Sequence, residues 1–245
     1  MIIEAGLTRY EAVNKEIEKQ LEKQNKVTVK DVNGQRYIGC ALDEGKTIEV
    51  YGTPGNDMAC YLNGGRVVVF GNCQDAVGNT MGGGEIVVHG HSGDAMGYGM
   101  RDGQIYIRDN VACRGGIHMK EFRQMRPVLV IGKNAGSFLG EYMAGGTIVL
   151  LGLDMKRGEK LFGTHCASGM HGGKIVLRCD KAPTDLPRQV LVSEVSADDM
   201  TEFAPYIKEY AQLFGADAEN LLSQKYFVLT PNPEAGYKQL YTFEA

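Results

Sequence analysis

Residues 71–89, GNCQDAVGNTMGGGEIVVH, and 90–109, GHSGDAMGYGMRDGQIYIRD, are two copies of one pattern. Each opens on glycine (Gly71, Gly90), places a second glycine seven residues on (Gly78, Gly97), reaches Met81 or Met100, turns at Gly83 or Asp102, and closes with a β run. A fixed period near twenty residues carrying one strand signal is the mark of a stacked solenoid, because a single repeat cannot bury its apolar face alone.

The pattern extends outward from this pair. Aligned on the corner, Gly45, Gly64, Gly83, Asp102, Gly145 and Gly172 each precede an alternating run. The third and fifth residues after each corner are Ile48/Val50, Val67/Val69, Ile86/Val88, Ile105/Ile107, Ile148/Leu150 and Ile175/Leu177. Residues two apart share one face of a strand, so these pairs are expected to stack as the interior core. At a strand spacing of about 4.8 Å, roughly seven such coils make a rod of about 30 Å. The fourth residues, Glu49, Val68, Val87, Tyr106, Val149 and Val176, face outward yet are mostly apolar. Something must cover them, and the chain's own terminal segments are favoured over a partner. Glycine at the seventh place (Gly52, Gly71, Gly90, Gly152), with Asp109 and Cys179 as exceptions, is read as accepting the positive φ of a corner. Gly132 and Gly140 complete the set of structural glycines.

The pattern falters after Asp109. VACRGGIHMKEFRQMRP reads as an inserted loop before Val128–Ile131, and it is the most basic segment of the repeat region. Loops on a regular scaffold carry function, so Arg114, His118, Lys120, Glu121 and Arg123 are the candidate partner contacts. A second insertion, LDMKRGEKLFGTHC, precedes the last corner at His171.

The flanks divide the chain into an N-terminal cap (1–33), the repeats (34–180) and a C-terminal cap and tail (181–245). Thr8 and Glu11 have capping-box spacing, which predicts a helix to about Lys23 with Val13, Ile17 and Leu21 on its docking side. Asn33-Gly34 is a hairpin-turn signal. Ser196 and Asp199 predict a second helix ending near Gly215. A short helix near 217–224, a strand over 226–230 and an aromatic tail, GYKQLYTF, follow.

Composition narrows the function. The formal net charge is -4, with no aromatic-basic motif, so nucleic acid is an unsuitable partner. No segment approaches the roughly 20 apolar residues that cross a bilayer and no leader pattern opens the chain, so a cytoplasmic location is expected. Six cysteines without CxxC pairs fit reduced thiols. His89-x-His91 and the group His165, Cys166, His171 lack zinc-site spacing. Cys113 or Cys166 beside His118 or His165 would suit a thiol hydrolase, without a local signature. The glycine-rich stretch leads into a strand and lacks Lys-Ser/Thr, unlike a phosphate loop.

GNTMGGGEIVVHG, GDAMGYGMRDGQIYI, GIHMKE, AGSFLGEYMAGGTIVLLG and ASGMHGGKIVLR together resemble the GXGXG domain at the C-terminus of the glutamate synthase large subunit, here free-standing. The resemblance covers about residues 34–178 and continues weakly into YFVLTPNPEAGYKQLY. It implies an all-β fold, a right-handed parallel β-helix with helical caps, in keeping with the handedness of parallel crossovers. It further implies a scaffold without catalytic residues or cofactor of its own. The amidotransferase that releases ammonia from glutamine, and the FMN and iron-sulfur synthase that converts 2-oxoglutarate to glutamate, would be partner subunits. A homo-oligomer is compatible with this. The β-helical subunit of formylmethanofuran dehydrogenase shares the repeat and gives the alternative scaffold. Asp102 and Arg108-Asp109 depart from the family's glycines, which bears on the register of one coil.

Overall fold

The computed structural model describes residues 1–156 and 158–234. The tail 236–243 lies outside the described residues. The elements in order are β1 (Ile2–Glu4), α1 (Tyr10–Leu21), β2 (Lys26–Asn33), β3 (Thr47–Thr53), β4 (Asn63–Phe70), β5 (Gly82–Val88), β6 (Asp102–Ile107) and β7 (Val128–Ile131). They continue with β8 (Ala144–Leu150), β9 (Gly172–Arg178), β10 (Val190–Glu194), α2 (Ala197–Phe214), α3 (Ala218–Ser223) and β11 (Tyr226–Pro231). Strands β1 to β9 pair in sequence order and in parallel, the ladder of a β-solenoid.

The expected core column is present. Ile48, Val67, Ile86, Ile105, Leu129, Ile148 and Ile175 stand in register across β3 to β9, and all are fully buried. The coil carrying Asp102 is as regular as its neighbours: Gly82 pairs with Asp102 and Ile86 with Ile105, and the register shift there recurs between β4 and β5 and between β8 and β9. Asp102 Oδ1 accepts the Arg126 amide at 3.0 Å, which gives that corner a hydrogen bond a glycine lacks.

The sheet begins before residue 34. β2 pairs in parallel with β3, and β1 in parallel with β2, so Asn33-Gly34 is a corner and not a hairpin. Nine parallel strands at about 4.8 Å span about 38 Å, longer than the seven-coil expectation. At the other end β11 runs antiparallel to β9 and carries β10 on its outer edge, which stops further parallel addition.

α1 closes the first coil: Val13, Ile17 and Leu21 join Val27 and Val29 in the interior cluster. Its start differs from the Thr8 capping box. The helix begins at Tyr10 with Arg9 as N-cap, because the Thr8 carbonyl takes a bond from Gln35 and the Glu11 carboxylate pairs with Arg9 at 2.9 Å. Ser196 and Asp199 do form the capping box of α2, and Gly215 ends it at φ 72°.

From β6 to β9 the outer apolar stripe is covered by the chain itself. Phe203, Ile207, Tyr210 and Ala211 of α2 pack with Tyr106, Val130, Val149 and Val176 in a second buried cluster. The Tyr210 hydroxyl donates to the Arg108 carbonyl at 2.9 Å. Gly132 makes this approach possible, since a Cβ there would lie 2.0 Å from that hydroxyl oxygen and 2.1 Å from the same carbonyl. The seventh-place glycines are therefore not uniformly corner-formers. Gly52 has φ 122°, but Gly71 and Gly90 lack positive φ, and what excludes a side chain is the carbonyl of the preceding coil. Likewise the left-handed residue of the later corners is the one after the aligned position, such as Gly84 after Gly83.

Beyond the C-terminal end of α2 the strand ends carry stacked rings. Tyr51, Phe70 and His89 stack at 4.6 and 4.9 Å, and Phe214 meets His89 edge-on at 5.1 Å. Burial, then the positive charges of Arg108 and Arg66, hold the His89 imidazole below the ordinary histidine range. The unfolded chain, with an ordinary pKa of about 6.5, therefore takes up the proton first. This contribution to stability is complete above the unfolded pKa and declines as pH falls toward the folded one. The melting temperature of wild type is expected to fall more between pH 7.5 and 5.5 than that of His89→Gln. Parallel falls in thermal melts would show that His89 is uncoupled from folding.

Candidate partner interface

Opposite each strand the coil turns through a six-residue segment whose first, third and fifth residues are left-handed. In consecutive coils these are Tyr37, Gly39, Ala41; Asp57, Ala59, Tyr61; Ala76, Gly78, Thr80; Ala95, Gly97, Gly99; Arg114, Gly116, His118; Phe138, Gly140, Tyr142; and His165, Ala167, Gly169. In these turns the second and third places face inward, as Met58 and Ala59 or Cys166 and Ala167 show, while the first place faces outward in the later coils, as at Arg114, Phe138 and His165. The sixth residue is always inward, as with Met81, Met100, Met119, Met143 and Met170, all buried. Glycine favours such a backbone because it has no Cβ penalty at positive φ, yet many places hold large side chains. A non-glycine residue there costs energy and is a pointer to function.

This geometry corrects the sequence reading of 110–127. The repeat is unbroken through Met119, nineteen residues after Met100, so Arg114 and His118 belong to a regular turn. The extra length lies between Lys120 and Pro127, where eight residues stand in place of the three, 101–103, of the coil before. It folds back on itself: Phe122 and Met125 exchange backbone hydrogen bonds at 3.1 and 3.0 Å, and Arg123 sits at the tip with φ 59°.

The turns build two outward ladders. On one, the Arg114 guanidinium lies over the Phe138 ring at 5.2 Å, and that ring stacks on His165 at 4.8 Å. On the other, His118 stacks on Tyr142 at 5.3 Å and meets the Tyr98 edge at 5.7 Å. The Tyr142 ladder ends at Gly169, where a Cβ would lie 2.4 Å from the ring. Carboxylates brace these turns from coil to coil: Asp75 accepts the Asp94 amide at 2.8 Å, and Asp94 accepts the Cys113 amide at 2.9 Å. The face is consequently rigid, and its aromatic rings are fixed before any partner arrives.

Five expected contacts thus divide. Arg114 and His118 stand on the ladders, while Lys120 and Arg123 stand on the adjoining insertion, all exposed. Arg123 lies over Phe122 at 5.0 Å, and Phe122 and Met125 are 54% and 38% exposed, an apolar tip with a cation on it. Glu121 does something else as well: its carboxylate accepts the Gly146 amide at 3.0 Å, which ties the insertion to β8. It also borders a cleft of about 290 Å³ lined by Arg126, Thr147, Lys174, Glu202 and Tyr206. Among the described residues, none of Arg101, Arg114, Lys120, Arg123 and Arg126 forms an ion pair, whereas Arg66, Arg108, Lys133 and Lys174 each do. This edge therefore carries a group of cations without a carboxylate partner among the described residues. An alignment on corner glycines leaves out the coil of Arg114 and His118, which has no corner glycine, and so hides the ladders that Phe138, Tyr142 and His165 continue. Counting back from Met119, Met143 and Met170 brings in the coil that lacks a corner glycine and puts Arg114, Phe138 and His165 in one column and His118 and Tyr142 in another, with Tyr98 one place earlier in its own turn.

The candidate chemical residues separate. Cys166 is 1% exposed, inside the coil, and burial pushes its thiol up to about 12, which keeps it protonated at neutral pH. Its neighbour His165 points outward onto Phe138. His89 lies on the sheet side under Phe214, His91 is exposed, and His171 Nδ1 lies 3.1 Å from the Gly169 carbonyl. Among the described residues no three His, Cys, Asp or Glu side chains converge on a metal-sized space. No described helix is long and apolar enough to cross a membrane.

The fold and this edge define a class: parallel β-solenoids whose coils turn through alternating left-handed residues, with part of one face sealed by their own helix and the turn edge left exposed. The chain belongs to the GXGXG motif family, whose pattern it matches over residues 7–231. It is 42% identical over 251 aligned positions to the uncharacterized protein MJ1350 of Methanocaldococcus jannaschii, covering 99% of this chain and 96% of that protein. Its fold is similar to a chain of the formyltransferase/hydrolase complex FhcABCD of Methylorubrum extorquens, crystallised with methylofuran. The TM-score is 0.60 at 20% identity, covering 82% of this chain and 71% of that one.

Proposed function

We propose that this chain is a scaffold subunit without catalytic residues, holding the amidotransferase and synthase subunits of a cytoplasmic, multi-subunit glutamate synthase. FMN and iron-sulfur clusters then reside on those partners, and no cofactor on this chain. The observation that carries the reading is the rigid turn edge, where unpaired cations adjoin fixed exposed rings on a solenoid whose opposite sheet is covered by α2 from β6 to β9. Aromatic rings and arginine at a preformed surface are the residue types that dominate association energies. The five motif segments favour the glutamate synthase form of the family.

A second reading is a scaffold in a complex of the formylmethanofuran dehydrogenase type, supported by the likeness to a chain of FhcABCD. Affinity purification of the chain from its native cells, followed by mass spectrometry and visible spectroscopy, separates the two. Recovery of a glutamine amidotransferase and a flavin and iron-sulfur protein is the expected result. Formyltransferase or hydrolase subunits instead would establish the second reading, and a chain that elutes alone would sink both.

A further inference from the structure

We propose that Cys40 and Cys60 form a reversible dithiol–disulfide site on the first two turns, oxidised by a low-molecular-weight disulfide. Both residues hold the fourth place of the six-residue turn. Cys40 lies between left-handed Gly39 and Ala41, and Cys60 between left-handed Ala59 and Tyr61. The two turns are bonded on either side of the pair: Ala59 donates to the Ile38 carbonyl at 2.8 Å, and Ala41 to the Cys60 carbonyl at 2.9 Å. Matching conformations in adjacent coils direct the two side chains the same way. A coil spacing of about 4.8 Å falls inside the Cα separation that disulfides accept, roughly 4.4–6.8 Å. Cys40 is the neighbouring group that, after burial, bears most on the ionisation of the Cys60 thiol.

The pair is confined to these coils. The next turn holds Asn79 at that place, and its amide donates to Asp57 at 3.0 Å. Cys73 and Cys166 are buried elsewhere in the interior.

The roles of the two sulfurs differ. Cys40 is exposed and Cys60 is buried. The Cys40 thiolate attacks one sulfur of the oxidant RSSR, forming Cys40–S–SR and releasing RS⁻. Cys60 gives its proton to solvent and attacks Cys40 Sγ, closing the protein disulfide and releasing a second RS⁻. Two protein thiols are oxidised, and one RSSR is reduced to two thiols. Burial and the neighbouring Cys40 thiol push Cys60 up to about 12, so the second step should quicken as pH rises. The Cβ separation preferred by disulfides is about 3.8 Å, shorter than the coil spacing, so closure draws the outer turn inward and leaves a bond that dithiols reduce readily. Tyr37 in the same turn packs on Tyr10 of α1 at 5.7 Å, so the link clamps the capped end of the solenoid.

The test treats the full chain with oxidised glutathione, then alkylates it after unfolding and maps peptides by mass spectrometry. Two of the six cysteines should escape alkylation and appear as a Cys40–Cys60 linked peptide that dithiothreitol reverses. Cys60→Ser should yield a stable glutathione adduct on Cys40 without a link, and Cys40→Ser neither adduct nor link, both with the wild-type circular dichroism spectrum. The proposal is overturned if all six cysteines stay alkylatable, if wild type stops at the adduct, or if Cys40 instead joins a second copy on a non-reducing gel.

Discussion

Ile207→Ala is expected to lower the unfolding free energy by about 2–5 kcal/mol, the range for truncating a fully buried aliphatic side chain. Ile207 is 0% exposed and lies in the outer cluster between α2 and the sheet. Two effects add: the lost transfer energy of the removed methylenes, and a cavity that neighbours cannot fill because they are fixed from both sides. Below it the strands are locked by their ladders, and above it Tyr210 is anchored to Arg108 at 2.9 Å. Destabilised α2 also exposes Tyr106, Val130, Val149 and Val176 as one apolar strip, so the variant should aggregate on heating. Equilibrium urea unfolding measures the first effect and light scattering during a thermal ramp the second. A shift below about 0.5 kcal/mol, the ordinary range of surface substitutions, would mean that the helix is a loose cover and the stripe is available to a partner after all.

How far the sequence discloses this depends on the range of the interaction involved. Ile48 through Ile175 are legible because strand alternation is local and each repeat restates it. The box at Ser196 and Asp199 is legible too, since both partners lie within one turn. The same spacing at Thr8 and Glu11 misleads, because Gln35, distant in sequence, takes the Thr8 carbonyl and Arg9 takes the carboxylate. β1 and β10 have no signal of their own. Ile2–Glu4 is too short for a period, and Val190–Glu194 is a strand only because β11 lies beside it. The turn edge is hidden for a different reason. Its backbone is glycine-like at Arg114, His118, Phe138 and Tyr142, where no glycine marks it, so counting glycines makes a regular coil look like an insertion. Side chains tolerated at positive φ are the informative ones.

Reversing charge on that edge, with Arg114→Glu and Arg123→Glu combined, is expected to weaken binding to the partner subunits by about 100-fold, mostly through faster dissociation and lost steering. Both guanidinium groups rest on rings, Arg114 on Phe138 at 5.2 Å and Arg123 on Phe122 at 5.0 Å, so little side-chain freedom remains to be lost on docking. Neither forms an ion pair with a described residue, so an acidic surface meets them without competition from the chain itself. The replacements keep the fold, since both positions are exposed and glutamate meets the same left-handed backbone that arginine already occupies, at φ 62° and 59°. Titration calorimetry or surface binding at two salt concentrations gives the decisive comparison. Wild-type affinity should fall as ionic strength rises, and the double variant should lose or reverse that dependence, because screening weakens the new repulsion as it weakens the attraction. Lys19→Glu on the exposed side of α1 changes the net charge by the same amount per substitution and should alter affinity less than about twofold. An equal loss of binding free energy per substitution in both variants would mean that net charge, and not the ladder edge, sets the association. Undiminished affinity in the double variant would move the docking site away from the edge, leaving the left-handed arginines without a role.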